Sequence, residues 1–284
     1  MWSMFESEIK RIDSIMGSEP LPNIPELFSR VPLDDFGTLL MDVPSHYPNI
    51  KSYFPSMVSE QAQKSWTGSH GAALLELSLT FLKTMISGYS SITGKRLGDA
   101  RILDFGCGWG RLIRLLYKYV PSENIYGVDP SDQSIQLCQE HRLRGNIALS
   151  DWVPTSLPFD FKFDLIFAFS VFTHLSEKTT RVALSTLRNY ISEDGLLLIT
   201  IRPKEFWPFQ IQDKQAQELL TEHDTNGFAF IPGKNRAPVD GDITYGDTSM
   251  SLAYLERNFP KWRIEAMECN AVNKYQVLVF LKPV

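Results

Sequence analysis

The chain has 284 residues, 43% of them hydrophobic, and a formal net charge of −5, which suits one large α/β domain or a domain with appendages. An acidic balance, with a pI near 5.6, argues against a general nucleic-acid binder, which carries a basic face; His141, Arg142 and Arg144 read as a solvated helix end. Met1–Lys10 is amphipathic and acidic rather than a signal peptide, and no apolar run reaches the length of a membrane span. Cys107, Cys138 and Cys269 form no C-x-x-C, so the expectation is a cytoplasmic chain with reduced thiols, no zinc site and no disulfide framework.

Met1–Met16 is expected as a short helix with Met4, Phe5, Ile9 and Ile12 on one side, stopped by Gly17 and Pro20. From Pro20 to Pro55 prolines are dense (Pro22, Pro25, Pro32, Pro44 and Pro48 lie between), which rules out one regular element. Phe28, Phe36, Tyr53 and Phe54 make this stretch too apolar for a disordered tail. An extended arm is expected, packed on the main domain or on a second subunit of a homodimer. Ser59–Tyr89 reads as helical with a break at Trp66–Gly71, and Leu74, Leu75, Ser78, Leu82, Met85 and Ile86 face the core. Ser90–Asp99 reads as a polar loop.

Arg101–Arg111, R-I-L-D-F-G-C-G-W-G-R, reads as strand, glycine turn and helix start. Gly106, Gly108 and Gly110 permit positive φ and close approach of a ligand. The helix that follows offers N–H groups to polar ligand atoms. Ile125–Val128 is a second strand ending in Asp129, a carboxylate placed to accept hydrogen bonds from ribose hydroxyls. Turn and acid together point to a ligand that contains a nucleoside.

Ser131 then caps a helix to about Arg142, and Asn146–Ser150 forms a third strand, with Asp151-Trp152 at its end or in a surface turn. Phe163–Phe172 is nearly continuous apolar sequence, as in a parallel strand buried on both faces; its end, Phe169–Phe172, is expected to line the ligand crevice. Ser176 caps a helix Glu177–Ile191, and Leu196–Ile201 is the fifth strand. Phe206–Met250 reads as a polar, irregular insertion with helical promise at Lys214–Leu220, on the substrate side. A helix Ser251–Asn258 and two strands, Trp262–Met267 and Tyr275–Leu281, complete the chain.

Glycine spacing separates two nucleoside cofactors. Dinucleotide folds use G-x-G-x-x-G, whereas Asp104–Gly110 gives D-x-G-x-G-x-G. That pattern resembles motif I of the class I S-adenosylmethionine-dependent methyltransferases. The string S-V-F-T-H-L-S-E, Ser170–Glu177, resembles the fourth motif of bacterial small-molecule members. The resemblance runs from Arg101 to about Ile201, and more faintly to the C-terminus. It implies an α/β, Rossmann-like, doubly wound seven-stranded sheet with an antiparallel terminal strand, plus an N-terminal helical or irregular arm. Residues 1–95 would be the arm and cofactor-covering helices. Residues 96–284 would be the methyltransferase domain, with a substrate-side insertion at about 203–250.

The same resemblance implies S-adenosylmethionine as cofactor. Asp104, Gly106, Cys107, Gly108, Gly110 and Arg111 would surround its methionine part, and Asp129, with Pro130 and Ser131, its ribose. Asp151 and Trp152 would flank adenine, Phe169 and Ser170 would line the site, and Trp66 beside Gly68 would act as a lid.

Methyl transfer from a sulfonium needs donor and acceptor held in line, water kept out and a proton removed where required. The Asp/Asn-Pro-Pro-Tyr/Phe string of amide and amine methyltransferases is absent, and no acidic cluster suggests a metal. A sugar or small-metabolite hydroxyl is therefore the expected acceptor. His174 is the first candidate for general base, with a loop-supporting residue as the alternative; His70, Tyr245 and Asp247 are weaker candidates. Arg202 would orient an anionic substrate or be a solvated charge, with His70 and Tyr245 as further substrate residues. Two other readings remain: a SAM-binding module without catalysis, and a nicotinamide-dependent oxidoreductase, against which the glycine spacing and terminal hairpin speak.

Overall fold

The computed structural model describes residues 5–18, 20, 23–212, 214–234 and 238–284; Met4 and Pro22, named above, lie outside them. The chain divides into two units, Met1–Ser90 with Gly94–Leu149, and Ser91–Thr93 with Ser150–Val284.

The first unit begins with helices α1 (Glu6–Met16), α2 (Ile24–Leu27), α3 (Leu33–Met41) and α4 (Pro48–Tyr53). The expected extended arm is corrected to short helices, because its prolines start helices rather than break them. Pro48 opens α4, Pro25 stands in the first turn of α2, and Pro32 immediately precedes α3. A proline at a helix start loses no intrahelical hydrogen bond. The rings of Phe28, Phe36 and Phe54 meet edge to face with centroids 5.1, 5.6 and 5.6 Å apart, and all three are buried. Each such burial stabilises by about 1.5–3 kcal/mol. The Asp13 carboxylate accepts from Ile50 N at 2.9 Å and ties α1 to α4.

Helix α5 (Glu60–Thr67) ends at left-handed Gly68, and α6 (Gly71–Thr93) follows. Gln63 spans the break: its Nε2 donates to Val58 O at 3.0 Å, and its Oε1 accepts from Gly71 N at 2.9 Å. The α6 helix runs through the expected loop start at Ser90, since nothing before left-handed Gly94 stops it. Strand β1 (Ile102–Phe105), α7 (Arg111–Leu116), β2 (Ile125–Asp129), α8 (Asp132–Glu140) and β3 (Asn146–Leu149) complete this unit. All residues of β1 are buried, and β1–β2 and β2–β3 pair in parallel with Ile102 opposite Ile125 and Gly127 opposite Ile147.

In the second unit β4 (Phe163–Ala168) stops short of the expected Phe172, because Ser170 turns the chain with φ +62°. Helix α9 (Glu177–Tyr190) starts at its cap, where Ser176 Oγ accepts from Thr179 N at 3.2 Å. Strand β5 (Ile191–Ile201) runs parallel to β4.

The insertion is ordered where the sequence suggested irregularity. It forms α10 (Phe206–Gln210), α11 (Lys214–Asn226), β6 (Phe228–Pro232) and β7 (Gly246–Met250), with β6 and β7 antiparallel. Phe206, Trp207, Leu219 and Ala229 make its core. Thr248 and Ser249 hid the strand by being polar and fully buried. Each is hydrogen-bonded: Thr248 Oγ1 donates to Leu175 O at 2.6 Å, and Ser249 Oγ accepts from Trp207 Nε1 at 2.7 Å. Helix α12 (Leu252–Asn258) and the antiparallel pair β8 (Trp262–Cys269) and β9 (Val277–Pro283) end the chain.

The strand order is β3-β2-β1-β4-β5-β9-β8, with β9 antiparallel to both β5 and β8, which is the mostly parallel sheet with an antiparallel terminal strand expected from the sequence. Among the described residues, no helix is long and apolar enough to cross a membrane.

Candidate active site

In the first unit the glycine turn is fastened to the end of β2. Gly106 N and Cys107 N both donate to Val128 O, at 2.8 and 3.0 Å. Gly108 N donates to Asp129 Oδ2 at 2.9 Å, and Ser131 N to Asp129 Oδ1 at 3.0 Å. The carboxylate is thus held by one backbone amide on each oxygen. A carboxylate has about four lone-pair sites, so each oxygen keeps room for a further donor. Burial pushes the Asp129 carboxyl up from its usual range, and the Ser131 and Gly108 amides oppose that. Pro130 joins the two anchored residues, and Ser131 caps α8 by accepting from Ser134 N.

Gly108 has φ +53°, and a side chain built on it would point into open space. A ligand can therefore approach the backbone there. Asp104 is fully buried; burial pushes its carboxyl well up, and the Arg111 cation opposes. Arg111 is pulled down to about 10 by burial, with Asp104 opposing, and its Nη1 donates to Ser78 Oγ at 3.1 Å. Cys107 and Cys138 are both buried, and both thiols point at Gly108 O, at 3.7 and 3.3 Å. A hydrogen bond with Cys138, and then burial, raise the Cys107 thiol well above its ordinary value. Trp66 packs against the cluster Val58, Leu74 and Trp109, and Trp109 belongs to the glycine turn itself. His70 lies at the start of α6 with Nδ1 3.4 Å from Glu60 Oε2, on a half-exposed side chain.

The second unit gathers His174, Arg202, Tyr245 and Asp247. Arg202 is buried, not solvated: Nη1 donates to Asp247 Oδ1 at 2.6 Å and to Thr173 O at 2.7 Å. Its guanidinium lies 4.1 Å from the Phe206 ring centroid. Burial lowers its pKa, and Asp247 opposes the shift. His174 Nδ1 is 2.6 Å from Gly246 O, and Nε2 is 3.1 Å from Arg202 Nη2. A carbonyl only accepts and a guanidinium only donates. The ring therefore carries its proton on Nδ1, and the lone pair of Nε2 faces a cation. Tyr245 stacks on His174, with centroids 4.8 Å apart and planes 5° from parallel.

A polar chain runs beside this group. Ser170 N donates to Thr200 Oγ1 at 2.7 Å, Ser170 Oγ meets Thr173 Oγ1 at 3.3 Å, and Gln276 Nε2 donates to Ser170 Oγ at 3.1 Å. Phe169 and Trp152 are half-buried, and Asp151 is exposed. Sequence reasoning did not single out Thr173, Thr200 and Gln276 here, nor Ser78 and Cys138 in the first unit. Only Gln276 carried a signal, as a polar residue just before a terminal strand. Among the described residues, no group of three His, Cys, Asp or Glu could hold a metal ion.

Residues 103–197 match the family model described as a methyltransferase domain. The chain is 26% identical over 126 residues to a ubiquinone biosynthesis O-methyltransferase of Bradyrhizobium diazoefficiens, covering 44% of this chain and 48% of that protein. It is 32% identical over 127 residues to a malonyl-[acyl-carrier protein] O-methyltransferase of Halalkalibacterium halodurans, covering 40% and 45%. It thus spans about half the length of these curated relatives. Among solved structures, the PH0226 protein of Pyrococcus horikoshii shares the fold, with a TM-score of 0.50 and 18% identity over 72% of this chain and 90% of that one. Through residues 103–197, and with a sheet of this order, the chain belongs to the class I methyltransferase family.

Proposed function

We propose that this protein transfers a methyl group from S-adenosylmethionine to a hydroxyl of a small polar acceptor, such as a sugar or metabolite. The observation that carries the reading is Asp129, pinned by Gly108 N and Ser131 N beside a glycine turn that faces open space. In this reading its two oxygens receive the ribose hydroxyls. Asp104, Gly106, Cys107, Gly110 and Arg111 shape the methionine side, Arg111 supplying a cation for the carboxylate. Trp66, packed on Trp109, covers the cofactor, and Asp151, Trp152, Phe169 and Ser170 serve the adenine and methyl ends. Two O-methyltransferases among the relatives support oxygen as the receiving atom.

His174 is reassigned from general base to positioning residue. A base needs a free lone pair, and the one on Nε2 meets the Arg202 guanidinium. Arg202 is likewise neutralised by Asp247, so its role is to hold the β7 segment rather than to bind an anion. Tyr245, stacked on that frame, remains a substrate residue, and His70 stays a candidate on the first unit.

Calorimetry with S-adenosylhomocysteine tests the cofactor. Binding is expected, and Asp129→Ala should weaken it by about tenfold or more, the loss typical of charge-assisted hydrogen bonds. Folded protein that binds none of it would overturn the reading.

A further inference from the structure

The hairpin between β8 and β9 carries two buried amide side chains that are only half satisfied. Asn270 is 5% exposed and Gln276 6%, yet Asn270 Nδ2 and Gln276 Oε1 have no hydrogen-bond partner. Burying a polar atom unpaired is costly, and native folds rarely tolerate it without a purpose.

The opposite ends of both groups are fixed. Asn270 Oδ1 accepts from Val272 N at 2.9 Å and Asn273 N at 3.0 Å, and Gln276 Nε2 donates to Ser170 Oγ at 3.1 Å. Cys269 pairs with Val277, and Asn270 N donates to Gln276 O at 3.1 Å, so the two residues face each other across the hairpin. One vacant donor and one vacant acceptor are therefore presented together.

Next to them is exposed aromatic surface. Phe209 is 67% exposed and lies 4.8 Å from the Tyr275 ring, tilted by 32°. Ser170 follows the C-terminal end of β4, and Val277 pairs with Ile201, the last residue of β5. Ligands of such sheets bind at the carboxyl ends of the strands.

Resting on the methyl-transfer reading, we propose that this hairpin is the acceptor subsite: Asn270 and Gln276 hold a neutral hydroxyl, and Phe209 and Tyr275 take the aromatic ring that bears it. A hydroxyl accepts from Asn270 Nδ2 and donates to Gln276 Oε1 at once. A carboxylate cannot donate, and an ammonium cannot accept. Offset or edge-on ring packing on Phe209 and Tyr275 supplies the apolar part of the affinity.

The probes are 2-naphthol and 2-methoxynaphthalene, which share a ring system but differ in the donor hydrogen. Titrated into the full chain and followed by ¹⁵N–¹H NMR, 2-naphthol should shift the Asn270 and Gln276 side-chain amide signals. It should bind about tenfold more tightly than the ether, since a site built around a hydroxyl rejects the analogue lacking it. Gln276→Ala should abolish that preference. Phe209→Ala, at an exposed position that the fold does not need, should weaken both probes alike. Equal affinity of the two probes for the wild type, or an unchanged preference in folded Gln276→Ala, overturns the subsite. S-adenosylhomocysteine calorimetry on the same samples keeps the two readings apart. Loss of that binding in the wild type would sink the cofactor assignment while leaving the naphthol comparison to stand or fall alone.

Discussion

Gly108 and Gly110 both hold a left-handed backbone, and alanine should affect them differently. At Gly108 a side chain enters open space, so Gly108→Ala should cost only the about 1–2 kcal/mol of a left-handed non-glycine residue. At Gly110 a Cβ would press into the Leu143 side chain. Gly110→Ala should therefore lose about 1–3 kcal/mol more through overpacking, read from urea midpoints. Asp104 gives a pH signature. Its carboxyl titrates near 3.8 when unfolded, and burial holds it well above that in the fold, against the opposing Arg111 cation. Between those values the folded chain carries a proton that the unfolded chain has lost, so stability falls as pH rises through the window. Asp104→Asn should flatten that fall, measured by urea unfolding from about pH 4 upward; Asp129, shifted the same way, leaves a residual slope. These residues were legible in the sequence because turn, acid and strand end are local features. The surroundings of His174 were not: Gly246 and Asp247, which define its chemistry, are distant in the chain.

At the scale of elements, the strands and helices of the β1–α9 stretch could be read from hydrophobic period and caps, as Ser131 and Ser176 show. Strand β7 could not, because Thr248 and Ser249 are polar residues made buriable by hydrogen bonds that only the folded insertion supplies. The proline-rich start failed for the opposite reason: proline breaks a helix interior but suits its first turn. The β7 segment is also held by the ion pair of Arg202 with Asp247, whose side chains are 10% and 27% exposed. Asp247→Ala strands a buried guanidinium and should cost about 2–3 kcal/mol, below the range for fully enclosed pairs because Asp247 keeps some solvent. Adding Arg202→Met should recover much of that loss in denaturant unfolding, since no unpaired charge then remains.

For the whole molecule, motif spacing and the terminal hairpin were enough to anticipate the sheet and its antiparallel last strand. The acceptor side stayed dark because its groups come from separate loops, around Ser170, Phe209 and Gln276. The cysteines differ in a way that only the fold reveals. Cys107 and Cys138 are enclosed beneath the glycine turn, while Cys269 is exposed at the end of β8. A maleimide dye should accordingly add once per chain, at Cys269, as intact mass would show. That single handle sits one residue from Asn270, so a solvent-sensitive fluorophore placed there turns the native, unmutated sequence into its own optical reporter of whatever molecule settles against the hairpin.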